Sequence, residues 1–217
     1  MLIPGQAGGV YWWDTRLGGL RARTSSAETH SGPVSCLVWV SSKTGSEMMT
    51  ASADGTVKLW DTRMFSSCRE TFIIDLHNKD RKSSGDITVA QGASFLSYDP
   101  TIPSSYLLGT EAGRVVSCSR KGRSQPETVT ARFSGHQGAV RYLERNPAAP
   151  KYFLSLADTS LKVWAEDLTS SPVWWSRTGA QDGLTHGCWA PARPSVIITA
   201  DLSGTVRARV RTNKAPL

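Results

Sequence analysis

The segment GTVKLWDTR, residues 55–63, has a near copy in GGVYWWDTR, residues 8–16. Both set a Gly, a gap, a Val, two more residues and then Trp-Asp-Thr-Arg. Weaker copies follow: GRVVSCSR at 113–120, TSLKVWA at 159–165 and GTVRARVRT at 204–212. Along the tryptophan column stand Trp13, Trp60, Cys118, Trp164 and Arg209, in steps of 47, 58, 46 and 45 residues. A period near ~40–45 residues, with Trp-Asp closing a strand, is the signature of propeller blades.

Working outward from Trp60, each unit holds the strands of a four-stranded blade. VSCLVWV (34–40) is a β-branched and aromatic run, SSKTGSE (41–47) a polar turn, and MMTASADG (48–55) a second strand ending in Asp54-Gly55. Asp-Gly between two apolar runs signals a hairpin, because Gly accepts the left-handed backbone the turn needs. TVKLW (56–60) is then the third strand and CRETFII (68–74) the outer one. The order recurs as ASFLSYDP, YLLGTEAG, RVVSCS; as AVRYLERNP, KYFLSLAD, SLKVW; and as THGCWAP, SVIITADLSG, TVRARV. The expected class is all-β: an incomplete β-propeller of about four blades, each a four-stranded antiparallel sheet.

Composition agrees. The 217 residues are 39% hydrophobic and 20% charged, which excludes a disordered polar chain. The 19 glycines and 11 prolines are spread throughout and speak against a helical bundle. No apolar run approaches the ~18–20 residues of a spanning helix, so no membrane association is expected, and the first residues lack the pattern of a secretory leader. The four cysteines, 32, 50 and 70 positions apart, form no CxxC pair and read as reduced and structural.

This repeat resembles the WD-repeat family. His30 precedes the first strand of the best unit, Ser52 ends its second, Asp54 sits in the turn and Trp60 closes the third. The resemblance implies that such a His, Ser, Asp and Trp set forms a hydrogen-bonded network inside the blade. His136, Asp158 and Trp164 repeat three members, with Leu156 at the hydroxyl position. In the last unit Ser203 replaces the Asp and Arg209 the Trp, so that blade should be the least well held. The expected boundaries are a blade remnant at 1–25, blades at about 26–76, 77–133, 134–178 and 179–212, and a tail at 213–217. The remnant opens on a third strand, GVYWW, with no first or second strand before it, and the last blade lacks an outer strand. A seven-bladed ring needs roughly 290–320 residues, so the chain reads as part of a ring.

Departures from the plain repeat narrow the family. The Ser-Lys-Thr-Gly turn of SSKTGSE, the segment LLGTEAGRVVSCSRKGRSQPE (107–127), Arg-Asn-Pro before Pro-Lys-Tyr-Phe, and Trp-Ala-Pro-Ala-Arg-Pro together resemble axonemal dynein intermediate chains, nearest the second of the two outer-arm chains. The likeness runs from about residue 5 to about residue 206. It implies a non-catalytic subunit of a ciliary or flagellar motor, whose propeller docks on a dynein heavy chain beside a second intermediate chain. The implied location is the axoneme, within the cytoplasm and cytoskeleton. In that family a region before the propeller helps carry light chains. It is absent from this stretch, so light-chain binding is not expected here.

Other classes find less support. No GxxxxGK[ST] loop, HExxH helix or Gly-x-Ser-x-Gly elbow occurs, and the four histidines have no metal-ligand spacing, so no enzyme, cofactor or metal is expected. Trp-Asp-Thr-Arg at 13–16 and at 60–63 fits the WDxR pattern of cullin-type ubiquitin ligase substrate receptors, which makes Arg16 and Arg63 candidate protein-binding residues. The net charge of +7 suits an acidic partner, but the basic runs lack interleaved aromatics and nucleic acid is not favoured.

Overall fold

The computed structural model describes residues 1–76, 90–122, 128–177 and 183–210. Their regular elements are strands and one short 3-10 turn at Thr62–Met64. No helix among them is long and apolar enough to cross a membrane.

Five antiparallel sheets follow one another along the chain. Sheet one holds β1 (Leu2–Pro4), β2 (Val10–Asp14) and β3 (Gly19–Arg23). Sheet two holds β4 (Val34–Trp39), β5 (Glu47–Ser52), β6 (Thr56–Asp61) and β7 (Cys68–Ile73). Sheet three holds β8 (Ala93–Tyr98), β9 (Ser105–Thr110), β10 (Arg114–Ser119) and β11 (Val129–Ser134). Sheet four holds β12 (Val140–Arg145), β13 (Tyr152–Ala157), β14 (Ser160–Ala165) and β15 (Trp174–Arg177). Sheet five holds β16 (Leu184–Ala190), β17 (Arg193–Asp201) and β18 (Val206–Val210). Within each sheet the strands lie in sequence order, as in a meander. The first strands of successive sheets pack on one another, β4 on β8, β8 on β12 and β12 on β16, while β1 meets β4. This radial stacking is a propeller with an unclosed ring.

One expectation is corrected. Sheet one does have a strand before β2: Leu2, Ile3 and Pro4 pair with Trp12, Tyr11 and Val10. A three-residue strand ending in proline carries no readable alternation, and Pro4 is tolerated because it lies at a strand end on the sheet edge. The expected tail at 213–217 lies outside the described residues, as does the charged stretch Lys79-Asp80-Arg81-Lys82, one of the basic runs of the sequence.

Alternation along each strand sends neighbouring residues into different seams. Met48 and Trp60 face sheet one and pack with Val10, Val34 and Phe65. Met49, Ala51, Val57 and Leu59 face sheet three and meet Leu96, Tyr106, Leu108 and Val116. Leu107 and Val115 turn the other way, onto Phe133, Phe153 and Trp164. Leu154, Leu156, Leu161 and Val163 join Leu184, Trp189 and Ile197 of sheet five. The tryptophan column thus faces the preceding blade: Trp60 and Trp164 are 0% exposed. Trp13 has no such neighbour among the described residues and is 38% exposed, beside exposed Ile3 and Leu20.

Trp60→Ala is expected to cost ~3–5 kcal/mol in a urea titration, as a large truncation inside a seam. Trp13→Ala should cost under ~1 kcal/mol in the same experiment. Equal losses would refute the assignment of the column to the preceding blade.

Candidate functional site

The polar groups drawn together by this fold sit at one end of the blades, where the loop before the first strand meets the turn between the second and third. In sheet two, His30 is buried in that loop. Its Nε2 lies 2.7 Å from Thr50 Oγ1 and its Nδ1 2.7 Å from Thr56 Oγ1. Trp60 Nε1 donates to Thr50 Oγ1 at 2.9 Å. The Thr56 hydroxyl donates to Asp54 Oδ1 at 2.7 Å, and the Thr56 amide donates to the same oxygen at 2.8 Å. Ser31 donates its amide and its hydroxyl to Asp54 Oδ2 at 2.8 and 3.1 Å.

The donor inventory fixes the direction of this relay. An ionised Asp54 only accepts, so the Thr56 hydrogen is committed to it. Thr56 must then accept from Nδ1–H of His30, which leaves Nε2 as the acceptor for the Thr50 hydrogen. The Thr50 oxygen in turn takes the Trp60 indole N–H. Each polar hydrogen is used once, from indole to carboxylate. Burial pushes the Asp54 carboxyl up, but His30 3.6 Å away and the hydrogen bonds from Thr56 and Ser31 outweigh it and hold the group well below the usual carboxylate range.

The hydroxyl joining His30 to Trp60 is therefore Thr50, not Ser52. Ser52 shares its face of β5 but lies one step nearer the turn, where it donates to the Gly32 carbonyl at 3.1 Å and accepts from the Asp54 amide at 3.2 Å. Met48 pairs with Trp60 across the strands, and Thr50 is the next residue on that face, within reach of the indole nitrogen.

Sheet four repeats the relay with two corrections. Ser155, not Leu156, takes the hydroxyl position: Trp164 Nε1 donates to Ser155 Oγ at 2.8 Å, and His136 Nε2 lies 2.7 Å from it. Leu156 is one residue along the strand and therefore on the opposite face, in the seam with sheet five. His136 Nδ1 meets Ser160 Oγ at 3.1 Å, and Ser160 donates onward to the Ala157 carbonyl at 3.4 Å. Asp158 is not the terminal acceptor. Its backbone takes φ 49°, the conformation Gly55 takes at φ 82° in sheet two. The residue after Asp158 is Thr159, whose branched side chain resists that conformation. The left-handed step falls on Asp158 instead, and its side chain is exposed.

Burial pushes the His136 imidazole down to about 4, and the Lys162 charge acts in the same direction. In sheet three the column residue Cys118 is buried against Tyr106, and burial pushes its thiol up to about 12 despite the tyrosine hydrogen bond, which makes it an unreactive core residue. In sheet five Arg209 donates to Ser176 Oγ of the preceding blade at 2.9 Å. Asp201 supplies the turn carboxylate there, accepting from the Ser203 and Thr205 amides at 3.1 and 3.0 Å and from Arg207 at 2.8 Å.

Arg16 follows β2 and Arg63 follows β6, both exposed. Each turns back on the carboxylate two residues earlier: Arg63 Nη2 is 2.6 Å from Asp61 Oδ2, and Arg16 Nε is 3.8 Å from Asp14 Oδ1. The side-chain hydrogen bond from Arg63 holds the Asp61 carboxyl well below its usual range. Among the described residues no three His, Cys, Asp or Glu side chains gather as a metal site. His77 lies outside them.

A meander of short sheets stacked radially, with a Trp–hydroxyl–His relay repeated in two of them, defines a WD-repeat propeller. The family model of the WD domain, G-beta repeat, matches residues 23–61, the stretch carrying His30, Thr50 and Trp60. Its relatives include dynein intermediate chains of cilia and flagella. It is 40% identical over 200 residues to Dynein intermediate chain 3, ciliary, of Heliocidaris crassispina, a match covering 92% of this chain and 32% of that protein. It is 38% identical over 200 residues to Dynein axonemal intermediate chain 2 of Homo sapiens, again 92% of this chain and 32% of the relative. With the 70 kDa intermediate chain of the flagellar outer arm of Chlamydomonas reinhardtii it shares 33% identity over 201 residues, 92% of this chain and 34% of the other. The chain thus spans about a third of the length of these relatives.

Thr50→Val should destabilise the fold by ~2–4 kcal/mol in a denaturant titration, because it strands the buried Trp60 N–H and His30 Nε2 together. A loss below ~0.5 kcal/mol would show that water or another group replaces the hydroxyl.

His136 gives a second expectation. Its folded pKa lies below the unfolded 6.5, so between pH 6.5 and about 4 the unfolded chain holds the extra proton. Stability is therefore full above that window and falls as pH drops through it, by on the order of 3 kcal/mol. Comparing His136→Gln with the parent at several pH values checks this: the difference in stability should shrink on acidification across the window.

Proposed function

We propose that this chain is propeller sequence of a non-catalytic subunit of an axonemal dynein motor, acting as a scaffold for a dynein heavy chain in the cilium or flagellum. The observation that carries the reading is 40% identity maintained over 92% of the chain to a ciliary dynein intermediate chain. The stacked sheets suit such a role. Each seam is a buried aromatic and aliphatic layer, so loops at the blade ends are held in fixed relative positions. His30 and His136 meet buried hydroxyls whose oxygens are already taken by indole N–H groups, and Cys118 is buried with a raised thiol pKa, which supports structural roles for all three. The partners under this reading are the heavy chain and a second intermediate chain.

The test is affinity capture of the tagged protein from the salt extract of axonemes. Dynein heavy chain and a second intermediate chain should co-elute in fixed proportion. Recovery of a cullin adaptor in their place, lost on combined Arg16→Ala and Arg63→Ala substitution, would replace this reading with that of a ligase substrate receptor.

A further inference from the structure

Sheets two and four share the same register but not the same surroundings. Lys58 and Lys162 occupy equivalent positions in their third strands, two residues before the tryptophan. Lys58 is fully engaged with the loop beside it, donating to the Glu28 and Thr29 carbonyls at 2.9 and 3.3 Å, and it faces Thr71 across the outer strand. Lys162 instead faces Trp175, and two residues along the same outer strand stands Arg177. Among the described residues Lys162 donates to one group, the Gly135 carbonyl.

Around these side chains opens a cleft of about 410 Å³, bounded also by Gln137 and Asp158. The Arg177 guanidinium lies over the Trp175 ring, 5.9 Å from its centroid, and Trp175 is 55% exposed. Among the described residues neither the ring nor the arginine belongs to a hydrophobic seam. Trp-x-Arg on an outer strand therefore contributes nothing to the stacking that holds the propeller. Burial and the nearby charge of Arg177 hold the Lys162 ammonium below its ordinary value. Two cations share one cleft, with Asp158 at its rim as the one carboxylate lining it among the described residues. An arriving anion relieves that repulsion, and a flat aromatic wall suits the methylenes that carry it.

We propose that this cleft binds an anionic side chain of an acidic peptide segment, with Lys162 and Arg177 receiving the charge and Trp175 covering the aliphatic stem. Glutamate and phosphoserine both present this chemistry. A peptide fits better than a nucleic acid because the cleft offers one aromatic face and one pair of cations, not a stacking series along a basic track. The inference requires only the cleft and stands apart from the dynein assignment.

The experiment is calorimetric titration of the full chain with a glutamate-rich peptide, its phosphoserine counterpart, its glutamine counterpart and a uridine oligonucleotide. Both anionic peptides should bind and the glutamine peptide should not, and the tighter of the two identifies the preferred anion. Arg177→Gln and Lys162→Gln should each weaken binding about tenfold, the loss of one charge-assisted hydrogen bond. Trp175→Ser should weaken it as well, whereas Lys43→Gln, on a distant turn, should leave it unchanged. Arg177 and Trp175 lie outside the seams, so far-UV spectra of those variants should match the parent. Absence of peptide binding, undiminished binding in Arg177→Gln, or tighter oligonucleotide binding lost in the same variants would overturn the proposal.

Discussion

Every sheet of this chain has to hide two apolar faces, and only neighbouring sheets can cover them. A strand alternates its side chains between faces, so one strand must serve two seams at once. β5 does so with Met48 toward sheet one and Met49 toward sheet three. β9 does so with Leu107 and Leu108, and β13 with Phe153 and Leu154. A single four-stranded sheet with both faces wet is marginal at best. Stability is then a property of the seams, approximately a sum over neighbouring pairs, as in other repeat proteins. The exposed Ile3, Trp13 and Leu20 on sheet one mark a face of the same kind without a seam among the described residues.

The seams create a polar problem that the relay solves. Trp60 and Trp164 contribute the largest side chains to their layers, yet each carries an N–H that cannot be left dry. A hydroxyl on the neighbouring strand takes that hydrogen, a histidine from the preceding loop takes the hydroxyl's, and the turn beyond accepts the last one. The relay therefore ties three separate stretches of chain to one indole: loop, second strand and hairpin turn. In sheet two it terminates on Asp54, and in sheet four on the Ala157 carbonyl. The carboxylate is thus replaceable, because a backbone oxygen in a tighter turn presents an equivalent acceptor.

Much of this was legible because the strands are short and their closing tryptophans recur. The column from Trp13 to Arg209 located β2, β6, β10, β14 and β18, and Asp54-Gly55 located the hairpin. What escaped reading was set by pairing across strands. Thr50 and Ser52 share a face, and only the register with Trp60 selects between them. Leu156 was one residue out of phase, and one residue inverts a strand, so the hydroxyl lay at Ser155 instead. Asp158 kept its spacing from Trp164 but lost its role, because the hairpin of sheet four is one residue shorter and the left-handed step falls on Asp158 itself. β1 was too short to alternate. The Lys162 cleft depends on residues from a loop, a turn and an outer strand, and no local pattern announces that meeting.

The two column positions without tryptophan separate what the repeat requires physically from what it leaves free. Cys118 replaces a tryptophan and still faces the preceding seam. Arg209 replaces another, yet sheet five does not go without an indole. Trp189, on its first strand, fills the seam and donates its ring N–H to the Glu144 carbonyl at 3.3 Å, while its amide meets the Glu144 carboxylate at 2.9 Å. A different strand has supplied the same layer. The requirement is therefore a filled seam with satisfied donors, not a particular residue at a particular step. Positions that neither fill a seam nor satisfy a donor are released from the repeat. Trp175 and Arg177 are such positions: the ring stands 55% exposed under the Arg177 guanidinium on an outer strand. Their presence beside Lys162 is the kind of departure that recognition of a partner would explain and that stacking of blades would not.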